Sequence, residues 1–141
     1  MAANDAFGND LVWLSVLVQR RYAQICADHG LTTVQATLLC VIKDRPVGMG
    51  ELAQLLGVAK NALSGLVDRM ERNGFVHRET VQRDRRAVML STTSLGGELV
   101  TALYADVGRR LPDIAAALPA DQRAQLAKAV ARLAAPAYET A

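Results

Sequence analysis

A mostly α-helical fold carrying one small β-hairpin is what this sequence predicts, on three observations. Apolar residues recur at three- and four-residue steps along most of the 141 positions. The period changes once, after Gly74, where two short β-like runs flank a cluster of charges. Ala, Leu and Val dominate a composition that is 51% hydrophobic and 4% aromatic, which favours helix packing. The length suits one domain, or one domain with added helices.

The elements follow in order. Leu11, Leu14, Val18, Tyr22 and Ile25 define a first helix from about Asp10 to His29, ended by Gly30. Val12, Trp13, Val16 and Leu17 occupy its other faces. A helix apolar nearly all round is covered on more than one side, which in a small chain points to a partner chain. Thr32 or Thr33 can cap a second helix holding Ala36, Leu39, Cys40 and Ile42, stopped before Pro46. A short third helix runs from about Met49 to Leu56, with Leu52, Leu55 and Leu56 inward and Gly57 after it. A fourth runs from about Lys60 to Asn73 on the stripe Leu63, Leu66, Val67 and Met70, with Gly74 as its C-cap. FVHRET (75–80) and AVMLST (87–92) pair as the hairpin. Thr93 caps a long helix with Leu99, Leu103, Val107 and Leu111, which Pro112 must kink or break. Pro119 fits the first turn of a last helix carrying Leu126, Val130 and Leu133.

Charge is distributed unevenly. Residues 1–59 hold four Lys/Arg against five Asp/Glu, and residues 87–141 hold five against five. Residues 60–86 hold seven (Lys60, Arg69, Arg72, Arg78, Arg83, Arg85, Arg86) against four, so the net +3 of the middle suggests a surface that faces a polyanion. Cys26 and Cys40 form no CxxC, and His29 and His77 lack carboxylate company, so neither a metal site nor a disulfide framework is expected. The apolar run at 11–18 is too short to span a bilayer, and Asp5 and Asp10 precede it where a signal peptide needs positive charge. A cytoplasmic protein with reduced thiols and no membrane partner is the expectation. No paired acids, nucleophile–base set, phosphate loop or cofactor motif appears, so the chain is not read as an enzyme and no cofactor is assigned.

Helix, helix, short helix, turn, helix and hairpin compose a helix-turn-helix with a wing, between outer helices. A helix fits the major groove of duplex DNA, and a hairpin can reach the adjoining minor groove. With its apolar stripe turned inward, the fourth helix leaves Lys60, Asn61, Ser64, Gly65 and Asp68 outside. Lys60, Asn61 and Ser64 can donate to phosphates or base edges, and Gly65 permits close backbone approach. Asp68 would repel phosphate and is assigned to Arg69 or Arg72. At the wing, Arg83, Asp84, Arg85 and Arg86 form the tip. Arginine suits a narrow minor groove, and Asp84 would hold a neighbouring arginine or cap the turn. A solvated charged loop is the competing reading.

Residues 49–79 (MGELAQLLGVAKNALSGLVDRMERNGFVHRE) and 84–99 (DRRAVMLSTTSLGGEL) resemble the winged helix-turn-helix of the MarR family of bacterial transcription regulators. The matching pieces are ELA at 51–53, LVDRM at 66–70, NGFVHR at 73–78, DRR at 84–86, and the T-x-x-G of Thr93 and Gly96. The helix order fits over essentially the whole chain. Two departures are a glycine at 65, where many members carry a basic residue, and Val81-Gln82-Arg83 where many have Asp-Pro.

The resemblance implies a homodimer whose first and last helices interlock, bound to a palindromic operator in double-stranded DNA. Residues 1–31 and 93–141 would form the dimerisation region, and 32–92 the DNA-binding domain. It matches Asp84 and Arg86 to the family's D-x-R wing element, with Arg86 in the minor groove and Arg83 and Arg85 nearer phosphate. It implies a repressor relieved by a small aromatic or anionic ligand, for which Trp13, Leu17, Arg20 and Leu38 are the pocket candidates. A core or dimer-interface role competes for each of these four. Some members sense peroxide through a cysteine near the start of the first helix; Cys26 sits near its end, and both cysteines read as buried structural residues. The other functional class is a winged helix that binds protein without specific DNA binding.

Overall fold

The computed structural model describes the backbone of residues 3–81 and 84–140, and the side chains of residues 5–80 and 87–137. Among these residues, six α-helices and three strands follow one another: α1 (Ala3–Asp28), α2 (Thr33–Ile42), β1 (Val47–Gly48), α3 (Met49–Leu56), α4 (Lys60–Arg72), β2 (Val76–Val81), β3 (Asp84–Thr92), α5 (Ser94–Arg110) and α6 (Ala120–Thr140). A 3₁₀ turn at Leu111–Ala115 follows α5. The chain divides into two compact units, Cys26–Ala105 and the pair of segments Met1–Ile25 and Asp106–Ala141.

The unit Cys26–Ala105 contains the winged helix-turn-helix. Thr32 caps α2 through a full capping box: its hydroxyl accepts from Gln35 N, and the Gln35 side chain accepts from Thr32 N. Gly57 and Gly74 follow α3 and α4 with φ of 66° and 81°, left-handed conformations that glycine adopts without penalty. The residue that caps α4 is Asn73, one position earlier than expected, so Gly74 is the first residue beyond the cap. The apolar stripe of α4 is buried as its spacing requires, at Leu63, Leu66, Val67 and Met70. In α3, Leu52 and Ala53 are buried while Leu55 is 37% exposed, against expectation. With Leu52 and Ala53 inward, the 100° step of a helix carries Leu55 well off the buried arc and leaves Leu56 near its middle.

The sheet is antiparallel in the order β1-β3-β2. Its hairpin is longer than the two runs the sequence marks. Strand pairing continues to Val81 opposite Asp84, with an irregularity between Thr80 and Val81. The backbone of Asp84, Arg85 and Arg86 is therefore strand and not loop. β1 is an addition to the expected hairpin: Val47 pairs with Leu90 and Gly48 with Met89. Leu38, Leu39 and Ile42 of α2, Val47, Leu52, Leu63, Val67, Met70, Val76 and Leu90 are nearly or wholly inaccessible and form the core. Thr93 closes the domain: its N–H donates to Phe75 O (3.1 Å), and its hydroxyl donates to Gly74 O (2.5 Å) and accepts from Gly96 N (3.1 Å).

The second unit has a different surface. α1 begins at Ala3, seven residues earlier than expected; Ala3 and Phe7 continue the four-residue step back from Leu11. Arg21 pairs with Asp113 at 3.0 Å, and Asp106 accepts from both Arg109 and Arg110. Ile25 is the single fully buried apolar side chain described in this unit. Phe7 (61%), Trp13 (68%), Leu17 (50%), Val130 (51%) and Leu133 (80%) are exposed. As its spacing predicts, helix α5 ends ahead of Pro112 and the chain turns there. Among the described residues no single helix is long and apolar enough to cross a membrane.

Candidate nucleic-acid interface

α3 and α4 form the helix-turn-helix, joined by Gly57, Val58 and Ala59. Burying the stripe of α4 turns Lys60, Asn61, Ser64, Gly65 and Asp68 outward, and all five are exposed. Ala59, at the N-cap, has no side chain to cap the helix, and the first intrahelical bond on it is Leu63 N to Ala59 O. No acidic side chain lies in the first turn. The N–H groups and positive dipole end of α4 therefore point outward beside Lys60, an arrangement that attracts anions. Nothing stands within 4 Å of where a Cβ on Gly65 would be, so the backbone is open to close approach there. A cleft of about 590 Å³ runs between Lys60, Asn61 and Ser64 of α4, Met49 and Gly50 of α3, and Ala87 and Met89 of β3.

The wing root is tied to α4 by Arg78 of β2. Its guanidinium donates to Asp68 Oδ1 at 2.8 Å and to Glu71 Oε1 at 3.0 Å, and reaches Ser64 O at 3.4 Å. The Arg78 backbone N–H donates to the other Glu71 oxygen at 3.2 Å. The partner of Asp68 is thus Arg78, not Arg69 or Arg72 as sequence proximity suggested. Neighbours along a helix compete with residues that tertiary structure delivers from elsewhere, and here β2 delivers a better-placed fork. Arg69 and Arg72 are exposed and have no ion-pair partner among the described residues.

His77, expected to lack a carboxylate, has one. Its Nε2 lies 2.7 Å from Glu79 Oε1 and 3.0 Å from Ser91 Oγ. Alternation along β2 brings His77 and Glu79 to one face, and the register sets Ser91 opposite His77. Serine and carboxylate meet the same nitrogen, so this trio lacks the two-sided imidazole relay that activates a serine nucleophile.

Of the other candidates, Arg83 lies outside the described residues, as do the side chains of Asp84, Arg85 and Arg86. Trp13, Leu17 and Arg20 are exposed on α1, whereas Leu38 is wholly buried in the core of the winged-helix unit. Cys26 is buried and Cys40 half-buried. Burial pushes the Cys40 thiol above its ordinary range; Lys43 opposes this and Cys26 reinforces it. Lys43 itself is raised, chiefly by its hydrogen bond to Asp44, and lies 5.0 Å over the Tyr104 ring.

A recognition-type helix with an uncapped, basic N-terminal end, set beside a three-stranded wing, defines the class: a winged helix-turn-helix protein. Residues 29–87 match the model of the MarR family. The uncharacterized HTH-type transcriptional regulator YdcH of Bacillus subtilis (strain 168) is 35% identical over 89 residues, 60% of this chain and 60% of that protein. Wild-type MarR from E. coli in its apo form superimposes with a TM-score of 0.81 at 24% identity, covering 89% of this chain and 95% of that one, a likeness of fold. The transcriptional repressor CouR, bound to a 23-mer DNA duplex, superimposes with a TM-score of 0.74 at 25% identity, covering 90% and 91%. The winged helix-turn-helix of this chain is similar to that of the MarR family over the matched residues. The chain matches between 35% and 65% of the length of its curated relatives.

Proposed function

We propose that this chain is a sequence-specific transcription regulator that binds double-stranded DNA as a homodimer. The observation that carries this reading is the division of α4. Its apolar stripe is locked into the core, while Lys60, Asn61, Ser64 and Gly65 crowd an uncapped N-terminal end. That end enters the major groove, Lys60 and Asn61 donate to phosphate or base edges, and Gly65 lets the backbone close on the duplex. Exposed Arg69 and Arg72 extend the phosphate-facing side of the same helix. The wing carries Arg86 to the minor groove and Arg83 and Arg85 to phosphate, with Asp84 ordering the tip. The apolar side chains exposed on α1 and α6 support dimerisation through the helical unit, since patches of this kind mark interaction surfaces. Two such domains read half-sites about one helical turn apart, so the operator is an imperfect palindrome.

The protein acts in the cytoplasm as a repressor. A small aromatic or anionic ligand, taken up beside Trp13, Leu17 and Arg20, releases it from DNA. CouR, named a repressor and caught on a duplex, supports the direction.

Sequencing the fragments this protein retains from its own genome identifies the operator, and fluorescence anisotropy on that duplex then measures affinity against salt. Lys60, Arg69, Arg72, Arg83 and Arg85 on two protomers neutralise about ten phosphates, which sets a slope of log K against log salt of roughly −9. An affinity that ignores salt, or no retained duplex at all, would mean that the winged helix binds protein instead.

A further inference from the structure

Arg78, we propose, is a positioning residue for DNA binding: it holds the recognition helix and the wing at one fixed setting, without touching DNA itself. The inference rests on the DNA-binding reading above. Four contacts carry it. The guanidinium fork spans Asp68 and Glu71 on α4 and reaches the Ser64 carbonyl, and the Arg78 main-chain N–H takes the second Glu71 oxygen. These contacts cover two turns of α4, from Ser64 to Glu71, and Ser64 is itself one of the outward polar residues. The other end of the tie is β2, where Arg78 pairs with Leu90 in the middle of the hairpin. Wing and helix are thus joined at the midpoint of each.

Arginine suits this role and lysine does not. A planar fork can satisfy two carboxylates and a carbonyl at once, while an ammonium is a single point of charge. The Arg78 side chain is 27% exposed, against 56% for Asp68 and 41% for Glu71, so it is the sheltered centre of the cluster. With both carboxylates engaged, it has little capacity left for phosphate. Exposed ion pairs add little to fold stability. What a multi-point tie adds is a fixed angle between two elements that must fit two grooves together. Asp68 continues the outward stripe of Asn61 and Gly65 by one turn. Left alone it would repel phosphate; engaged, it anchors the wing.

The test is anisotropy of the full chain on a duplex retained from its own genome, with melting temperature measured alongside. Arg78→Met lowers affinity by about tenfold, the size of one truncated interface contact, and leaves melting nearly unchanged. Arg78→Lys keeps the charge and is expected to recover little of the loss, with the wild-type salt slope retained. Asp68→Asn is expected to weaken binding although it removes a negative charge from the helix that faces DNA. The Asp68→Asn and Arg78→Met losses should also combine to less than their product.

Wild-type affinity in Arg78→Met overturns the proposal. So does full rescue by Arg78→Lys, or a salt slope shallower by one unit per protomer, which marks a direct phosphate contact. Tighter binding by Asp68→Asn overturns it as well, and this single variant decides even where Arg78→Met fails to fold. A wild type that binds no duplex refutes the DNA-binding reading, a distinct outcome.

Discussion

Replacing Gly96 with alanine sets two physical effects against each other. Gly96 lies in the first turn of α5, where alanine is the better helix former by about 0.5–1 kcal/mol. Propensity alone therefore predicts stabilisation. Packing predicts the reverse. A Cβ on Gly96 would overlap the Phe75 carbonyl oxygen and lie 2.8 Å from its carbon. Neither atom belongs to a side chain that can swing away. Phe75 O accepts from Thr93 N, and the Thr93 hydroxyl binds both Gly74 O and Gly96 N, so the two segments are held close at several points. To admit the methyl, α5 must draw back from Phe75 and stretch those bonds. Overpacking against a rigid wall costs about 1–3 kcal/mol, and each weakened hydrogen bond about 1 kcal/mol. After the propensity gain, the net loss is roughly 2–4 kcal/mol, or about 10 °C in melting temperature for a chain of this size. Thermal denaturation followed by circular dichroism measures it. Gly65→Ala is the control: no atom stands within 4 Å of the new methyl, so the same substitution should hold or raise stability. If Gly96→Ala melts at or above the wild-type temperature, the close approach of α5 to Phe75 is not a constraint on the fold.

Three further outcomes concern the wing, the helical unit and the cysteines. Arg86→Ala should weaken operator binding with fold and dimer intact, and more on an A·T-rich flank than on a G·C-rich one; Asp84→Ala should weaken it too, and tighter binding at moderate salt would show that Asp84 does not organise the tip. Sedimentation at micromolar concentration should give a dimer, and Trp13→Glu with Leu17→Glu should shift it to monomer; an intact monomeric wild type refutes that surface. Mild peroxide should not release DNA, because burial keeps the Cys40 thiol protonated at neutral pH and Cys26 is inaccessible; release that Cys26→Ser abolishes would overturn this. The sign of the pH effect is fixed: a raised thiol pKa costs no stability below the ordinary thiol range, and stability falls as pH rises through that range toward the folded value.

Where local pattern decides structure, the sequence was legible. The stripe of α4 needed only the 3.6-residue period, and its exposed residues followed by subtraction. Thr32, Gly57 and Pro112 mark boundaries through chemistry confined to one turn. What escaped is what distant residues decide. β1 is two residues long, shorter than any period, and is a strand only because Leu90 and Met89 lie beside it. Leu55 looked inward until Ala53, too small to weigh in an apolar pattern, proved to be buried with Leu52. Asp68 found its partner ten positions away on β2. His77 and Glu79 are two apart, a spacing that is remote on a helix and adjacent on one face of a strand.

The charge count shows what such distant pairing does to function. Seven cations against four acids between residues 60 and 86 give the segment a net +3 but do not say where that charge lies. The structure shows that the acids do not screen the cations evenly. Asp68 and Glu71 both fall on Arg78, and Glu79 falls on His77 at another face of the sheet. Lys60, Arg69 and Arg72 are left without an ion-pair partner among the described residues. Of three described acids, two are gathered onto the one arginine turned toward α4 from the wing root. The net positive charge of this segment is therefore presented along one helix, at the positions that a duplex phosphate backbone would meet first.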